Sequence, residues 1–306
     1  MTSCSRVIVA ACALISMPLL ANSMQEPLTI PAGPEPEIVV YGYPDDSRQL
    51  SNFISEIGVE TGENQLARWH QTICPNVVGM QAEFNDYVRE TIRSVAELAG
   101  ARIAAEGCRY NVIVVMTTEP QLFIANLRSD RQDLFETLSP RDRERIGTGG
   151  DDVQLWSRVE TRGERGDVMQ SGEVSYNVPR TGSGELPWRS IRGAAASRIS
   201  RSARSELDFR AIVIDLNRLN GQTMQQLSAF AAMLALGEFD VGEPIAPANT
   251  ILNLFHDSDA TPADISDWDI AYLRALYATN GGRSAHSQRS AMIRHVRRQL
   301  SRSHED

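Results

Sequence analysis

The chain has 306 residues, of which 42% are hydrophobic and 23% charged, the composition of a globular protein with one large domain or two small ones. Its formal net charge of -9 excludes a general nucleic-acid binder, which needs cationic side chains to displace phosphate counterions. All 30 basic residues are Arg, which also excludes Schiff-base chemistry, a Walker A loop, a Ser-Lys dyad and a kinase ATP site, since each needs a lysine amine.

Residues 1–23 have the layout of a secretory signal: Arg6 supplies the positive region, Val7 to Leu20 the apolar run, and Ala21-Asn22-Ser23 the small residues before a cut after Ser23. The run is short for a bilayer span of about 20 residues, which disfavours a transmembrane anchor. Val9-Ala10-Ala11-Cys12 resembles a lipobox, but the apolar run continues well past Cys12, so lipidation is the lesser alternative. A periplasmic or secreted protein is expected. Loss of the leader leaves Cys74 and Cys108 as the mature cysteines, and an oxidising compartment predicts a disulfide between them, two buried free thiols being the alternative.

Residues 24–37 carry Pro27, Pro31, Pro34 and Pro36 and predict an extended linker ahead of a single domain over 38–281, with an Arg-rich tail over 282–306. "IVVYG" (38–42) reads as a short strand, Gln49 to Val59 as a helix, and 66–79 as a strand ending at Pro75. From Gln81 to Glu106 the apolar positions Phe84, Val88, Ile92, Val95, Ala99 and Ile103 recur in steps of four and three, a long amphipathic helix stopped by Gly107. An apolar strand follows over 108–119. Residues 119–146 are helical in pattern and broken at Pro140, with Ser139 as cap.

Residues 153–163 and 171–178 read as the two strands of a hairpin, and 179–190 as loop. The strand "FRAIVIDL" (209–216) leads through Asn220-Gly221 into "QLSAFAAMLALGEFD" (226–240), a helix opened by a Thr223/Gln226 capping box and stopped by Gly237. Met224, Leu227, Phe230, Ala231 and Leu234 form one apolar stripe, and Ala229, Ala232, Met233 and Leu236 cover much of the rest. A helix apolar nearly all round is a buried one. The helix 266–278 has Ser266 as cap and Asp269 in its third position. Beyond Gly281-Gly282 the tail carries Arg283, Arg289, Arg294, Arg297, Arg298 and Arg302, with Met292, Ile293, Val296 and Leu300 spaced for a short amphipathic helix. A solvated terminus is its default reading, and peripheral contact with an anionic membrane or an acidic partner the alternative.

The order of long helix, buried strand, hairpin, strand, apolar helix, loop and "DWDIAYLRALY" resembles the catalytic domain of zincin-type zinc peptidases over about residues 66–280. The resemblance implies an α+β fold: a zincin-like mixed sheet packed against a long helix and a buried, degenerate active-site-type helix. In a zincin that helix presents two histidines one turn apart to zinc, with a Glu between them to activate water. Here the mature histidines are His70, His256, His286, His295 and His304, no two of them four apart, and the helix offers Gln226, Leu227 and Phe230 instead. No catalytic, cofactor-binding or metal-binding residue is carried over. The resemblance is therefore to exported, catalytically degenerate zincin-like proteins of bacteria, with a binding or envelope-associated role toward an unknown protein or peptide partner. A hydrolase with an unrecognised site is the alternative, with His70 and His256 as the histidines outside the tail.

"HDSDATPADISDWD" gathers His256, Asp257, Asp259, Asp264, Asp267 and Asp269, oxygen-rich enough for calcium. It lacks the central Gly and final Glu of an EF-hand loop and reads as a solvated loop plus helix capping. Arg165-Gly166-Asp167 reads as a hairpin loop and "GTGGDD" (147–152) as a linker, since the latter joins no strand to a helix as a dinucleotide site must. N-terminal sequencing of the exported protein is expected to start at Met24; intact Met1 recovered from the cytoplasm would overturn the leader assignment.

Overall fold

The computed structural model describes residues 47–136, 138–148, 150–163, 166–167, 170–178, 182–190, 203–245, 249–256 and 261–303. The leader expected at 1–23, the linker expected at 24–37 and the strand expected at 38–42 lie outside the described residues. In chain order the elements are α1 (Ser47–Glu56), β1 (Pro75–Val78), α2 (Ala82–Ala99), β2 (Val112–Thr117), α3 (Pro120–Asp130), a 3-10 turn (Gln132–Leu134) and α4 (Pro140–Arg145). There follow β3 (Val153–Gly163), β4 (Gln170–Val178), β5 (Gly182–Ser190), β6 (Ala203–Asp215), α5 (Met224–Leu236), α6 (Asp267–Ala278) and α7 (Ala285–Ser303).

These elements make a mixed α/β fold around a four-stranded sheet of order β1-β2-β6-β3. β1, β2 and β6 run parallel, and β3 pairs antiparallel to β6 at the edge. The central strands are apolar on both faces because both faces are covered. Val112, Val114, Met116, Ile212 and Ile214 face the main core shared with α2 and α5. Val115, Phe209, Ala211 and Val213 face a smaller core with Ile124, Leu134 and Ile146 from the α3–α4 segment.

Four expectations need correction. α2 ends at Gly100, not Gly107: Gly100 adopts φ 80° and its N–H bonds back to the last turn, a conformation open to glycine without Cβ strain. Ile103, which continues the helical spacing, instead forms a bridge with Ile73. The strand expected to end at Pro75 begins there, because a proline without an N–H is tolerated at the first position of an edge strand. β3 makes no hairpin with β4. It pairs along its whole length with β6, from Val153 opposite Ile214 to Gly163 opposite Ala203, and β4 pairs with β5, which covers residues read as loop. Gly182, Gly184 and Pro187 weaken the strand signal of β5, yet a two-stranded ribbon is all edge and accommodates them. Finally, the tail is not a solvated terminus: its amphipathic spacing at Met292, Ile293 and Val296 is realised in α7, which starts earlier, at Ala285. Ala285, Gln288, Met292 and Val296 recur in steps of three and four and are buried, and Leu66 N–H donates to Gln288 Oε1 at 2.7 Å.

Cys74 and Cys108 are joined, with Cα atoms 6.1 Å apart, so the bridge clasps the chain just ahead of β1 and β2.

α5 opens on the expected capping box: Gln226 N–H donates to Thr223 Oγ1 at 3.2 Å and Thr223 N–H to Gln226 Oε1 at 3.0 Å. Its other end has no local cap, since Gly237 is extended at φ −157°. Side chains from elsewhere take the carbonyls left without helical partners instead. Arg210 Nε donates to Leu234 O at 2.9 Å and its Nη2 to Gly237 O at 2.8 Å. Trp69 Nε1 donates to Ala235 O at 2.7 Å and the Tyr277 hydroxyl to Leu236 O at 2.9 Å. The fully buried Arg210 is neutralised by Glu238 Oε2 at 2.9 Å. Because a lysine ammonium lacks the planar fork that spans two carbonyls, Arg210→Lys is expected to lower stability by roughly 2–4 kcal/mol, read as a lower denaturant midpoint at unchanged slope.

Candidate functional site

β3 is an edge strand, and its alternate residues Val153 and Leu155 face the same side of the sheet as α5. Between them lies a cleft of about 550 Å³. Phe230 of α5, Phe239 and Phe255 form its apolar floor, with Phe230 and Phe255 in an edge-to-face pair 5.3 Å apart. Asp151, Asp152 and Asp240 supply carboxylates to the walls, with Arg145 3.9 Å from Asp151 and Arg218 4.0 Å from Asp152. His256 is also in the lining; its Nε2–H donates to Val241 O at 2.9 Å.

Farther along the same strand a second cavity of about 330 Å³ is lined by Ser157, Val159 and Thr161 with Thr61, Ser205 and Glu238. The two cavities follow one face of β3 from residue 153 to 161, a length of about 26 Å at ~3.3 Å per residue. Ser157 Oγ donates to Glu238 Oε1, and Arg210 Nη1 reaches both side chains, so the middle of this groove is anchored on the end of α5.

The residues that the expected zincin resemblance would align with zinc ligands do not fit a zinc ion. Gln226 is occupied by the cap and by Pro262 O at 3.1 Å, Leu227 is buried, and Phe230 is the cleft floor. Among the described residues no three His, Cys, Asp or Glu side chains converge on a point where a metal could sit.

His70 and His256 do not share a site. Arg68 Nε donates to His70 Nε2 at 3.3 Å, and burial together with Arg68, Arg204 and Arg102 pushes the His70 imidazole down to about 3. It is neutral at ordinary pH and too weak a base to abstract a proton. His256 bonds a main-chain carbonyl, not a carboxylate.

The acidic loop disperses as well. Asp264 accepts from Gln225 Nε2 at 2.8 Å, and Asp257 and Asp259 lie outside the described residues. Asp269 is wholly buried and accepts from Thr250 Oγ1 at 2.5 Å, Ile251 N–H at 2.9 Å, Ser266 N–H at 3.0 Å and Ser266 Oγ at 2.8 Å. Burial raises its pKa above the usual carboxylate range, against the four donors that favour the charged form. Its work is to hold the 250–251 turn, and so the Phe255 wall of the cleft, to the start of α6.

Sequence reasoning passed over the Arg210–Glu238–Ser157 group. Its one signal was an arginine inside the otherwise apolar run "FRAIVID", an expensive placement that has to be met by partners. Comparison with known protein families, curated proteins and solved structures finds no match.

A histidine whose folded pKa lies below its unfolded value of 6.5 contributes stability that is complete above that pH and is lost as pH falls toward about 3. Discounted for its partial exposure, His70 is expected to account for about 2 kcal/mol of that loss. Denaturation curves between these pH values should show a shallower decline for His70→Gln; an unchanged decline would contradict the assignment.

Proposed function

We propose that this chain is an exported protein that uses a zincin-like scaffold for binding, and that the cleft between β3 and α5 receives an extended peptide segment of a partner without cleaving it. The observation that carries this reading is Phe230. α5 lies beside an antiparallel edge strand and gives the cleft an aromatic floor at a position that the zincin-like reading assigns to a metal-binding imidazole. Among the described residues β3 pairs with β6 alone, so its outer edge has N–H and C=O groups that an added strand can satisfy, while the alternating pockets along it can take alternate side chains. The acidic walls favour a segment with basic residues. Export is supported by the order of charged, apolar and small residues in 1–23 and by the Cys74–Cys108 bridge. No described helix is long and apolar enough to cross a membrane.

The test combines metal analysis by mass spectrometry, melting with and without a chelator, and a peptide library scored for both binding and cleavage. The expected outcome is no bound zinc, no chelator effect, no cleavage, and saturable peptide binding that Leu155→Asp weakens about tenfold. One equivalent of zinc with peptide hydrolysis would establish an enzyme instead, and a library without any binder would remove the peptide reading.

A further inference from the structure

A separate cavity of about 600 Å³ opens on the other face of the sheet, at the N-terminal ends of β1 and β2. Its floor is apolar, formed by Ile113 of β2, Phe209 of β6 and Leu134 of the 3-10 turn. Its rim is cationic. Among the described residues Arg109, Arg131 and Arg158 line it with one carboxylate, Asp208, in a chain whose net charge is -9. Arg158 Nε is committed to Asp208 at 2.7 Å, and Arg131 uses Nε and Nη2 on Asp133, both at 2.8 Å, which leaves its Nη1 out of that pair. Arg109 is exposed and has no hydrogen-bond or ion-pair partner among the described residues. The neighbouring Tyr110 is 55% exposed, an unusual position for a large aromatic side chain.

We propose that this cavity binds a small organic anion, its apolar body seated on Ile113, Leu134 and Phe209 and its carboxylate held at the rim by Arg109 and Arg131. The volume falls within the roughly 300–1,000 Å³ of ordinary small-molecule sites, and a few polar groups over an apolar floor is their usual construction. A guanidinium offers a planar fork that matches a carboxylate, and no described residue occupies the fork of Arg109. An inorganic anion would satisfy the rim and leave the floor wetted; a neutral apolar molecule would cover the floor and leave the rim uncompensated. The disulfide takes part: Cys74 and Cys108 line the cavity, and Cys108 immediately precedes Arg109 and Tyr110, so the bridge sets where both side chains stand. This site is independent of the peptide cleft.

The probes are octanoate and benzoate, titrated calorimetrically into the oxidised mature protein, with octanol and inorganic phosphate as controls. At least one carboxylate is expected to bind saturably at one equivalent, and each control at least about tenfold more weakly. Arg109→Gln, an exposed change whose melting curve should match the parent, is expected to weaken the carboxylate about tenfold, and reduction of the disulfide to weaken it further. Saturable binding of neither carboxylate, equal affinity in Arg109→Gln, or octanol binding as tightly as octanoate would each overturn the proposal.

Discussion

The buried C-terminal end of α5 is the constraint on which the rest of the molecule is arranged. A helix apolar nearly all round must sit in the core, and its last carbonyls then lie where water cannot reach them. An unpaired buried carbonyl costs about 1–3 kcal/mol, and here four in succession need donors. Because Gly237 is extended, none comes from the local turn. The donors arrive from three directions, Arg210 on β6, Trp69 ahead of β1 and Tyr277 on α6, and each bond ties one element to the same point. Glu238 follows directly and extends the network to Ser157 on β3, while its carbonyl accepts from Val59 N–H at 3.1 Å. The edge strand, the turn after α1 and the cleft are therefore positioned by one helix end.

The same chemistry recurs wherever a carbonyl is stranded. Arg68 donates to Leu276 O at the end of α6, and Arg128 to Arg143 O and Ile146 O at the end of α4, at 2.8 and 2.7 Å. Arg102 serves His70 O, Arg274 serves Leu98 O at 2.9 Å, and Arg289 serves Gly58 O at 2.7 Å. A guanidinium has five donors in a fixed plane and is more weakly hydrated than an ammonium, so it is suited to a half-buried place among carbonyls. The absence of lysine, which at first only excluded several enzyme classes, thus has a structural counterpart in this main-chain capping.

The two faces of the sheet differ in charge as well as in covering. On the α5 side the groove beside β3 is walled by aspartates above phenylalanines. On the α3–α4 side the cavity at the disulfide is rimmed by arginines above isoleucine, leucine and phenylalanine. Alternation along β3 and β6 separates the two, since successive side chains point to opposite faces: Leu155 and Ser157 to one, Trp156 and Arg158 to the other.

What the sequence by itself determined is the part carried by local signals. The spacing of Val88, Ile92, Val95 and Ala99 defines α2, the boxes at Thr223 and Ser266 start α5 and α6, Gly237 ends α5, and the strand pattern of 153–163 is the strand observed. Once the expected leader is set aside, two cysteines left one intramolecular pairing. The absence of a histidine pair on α5 was equally legible. Only the tertiary structure decided that β3 pairs with β6 and leaves β4 to β5, because a strand's alternation is satisfied by any partner that buries the same face. It likewise decided that α2 stops at Gly100 and that the apolar face already spaced for a helix in the tail is buried and not left in solvent, choices settled by what lies opposite each residue. Both cavities belong to this second class. Their linings come from residues far apart in the chain, such as Asp151 with His256 and Arg109 with Phe209, and such neighbours leave no periodic trace in the sequence because packing alone brings them together.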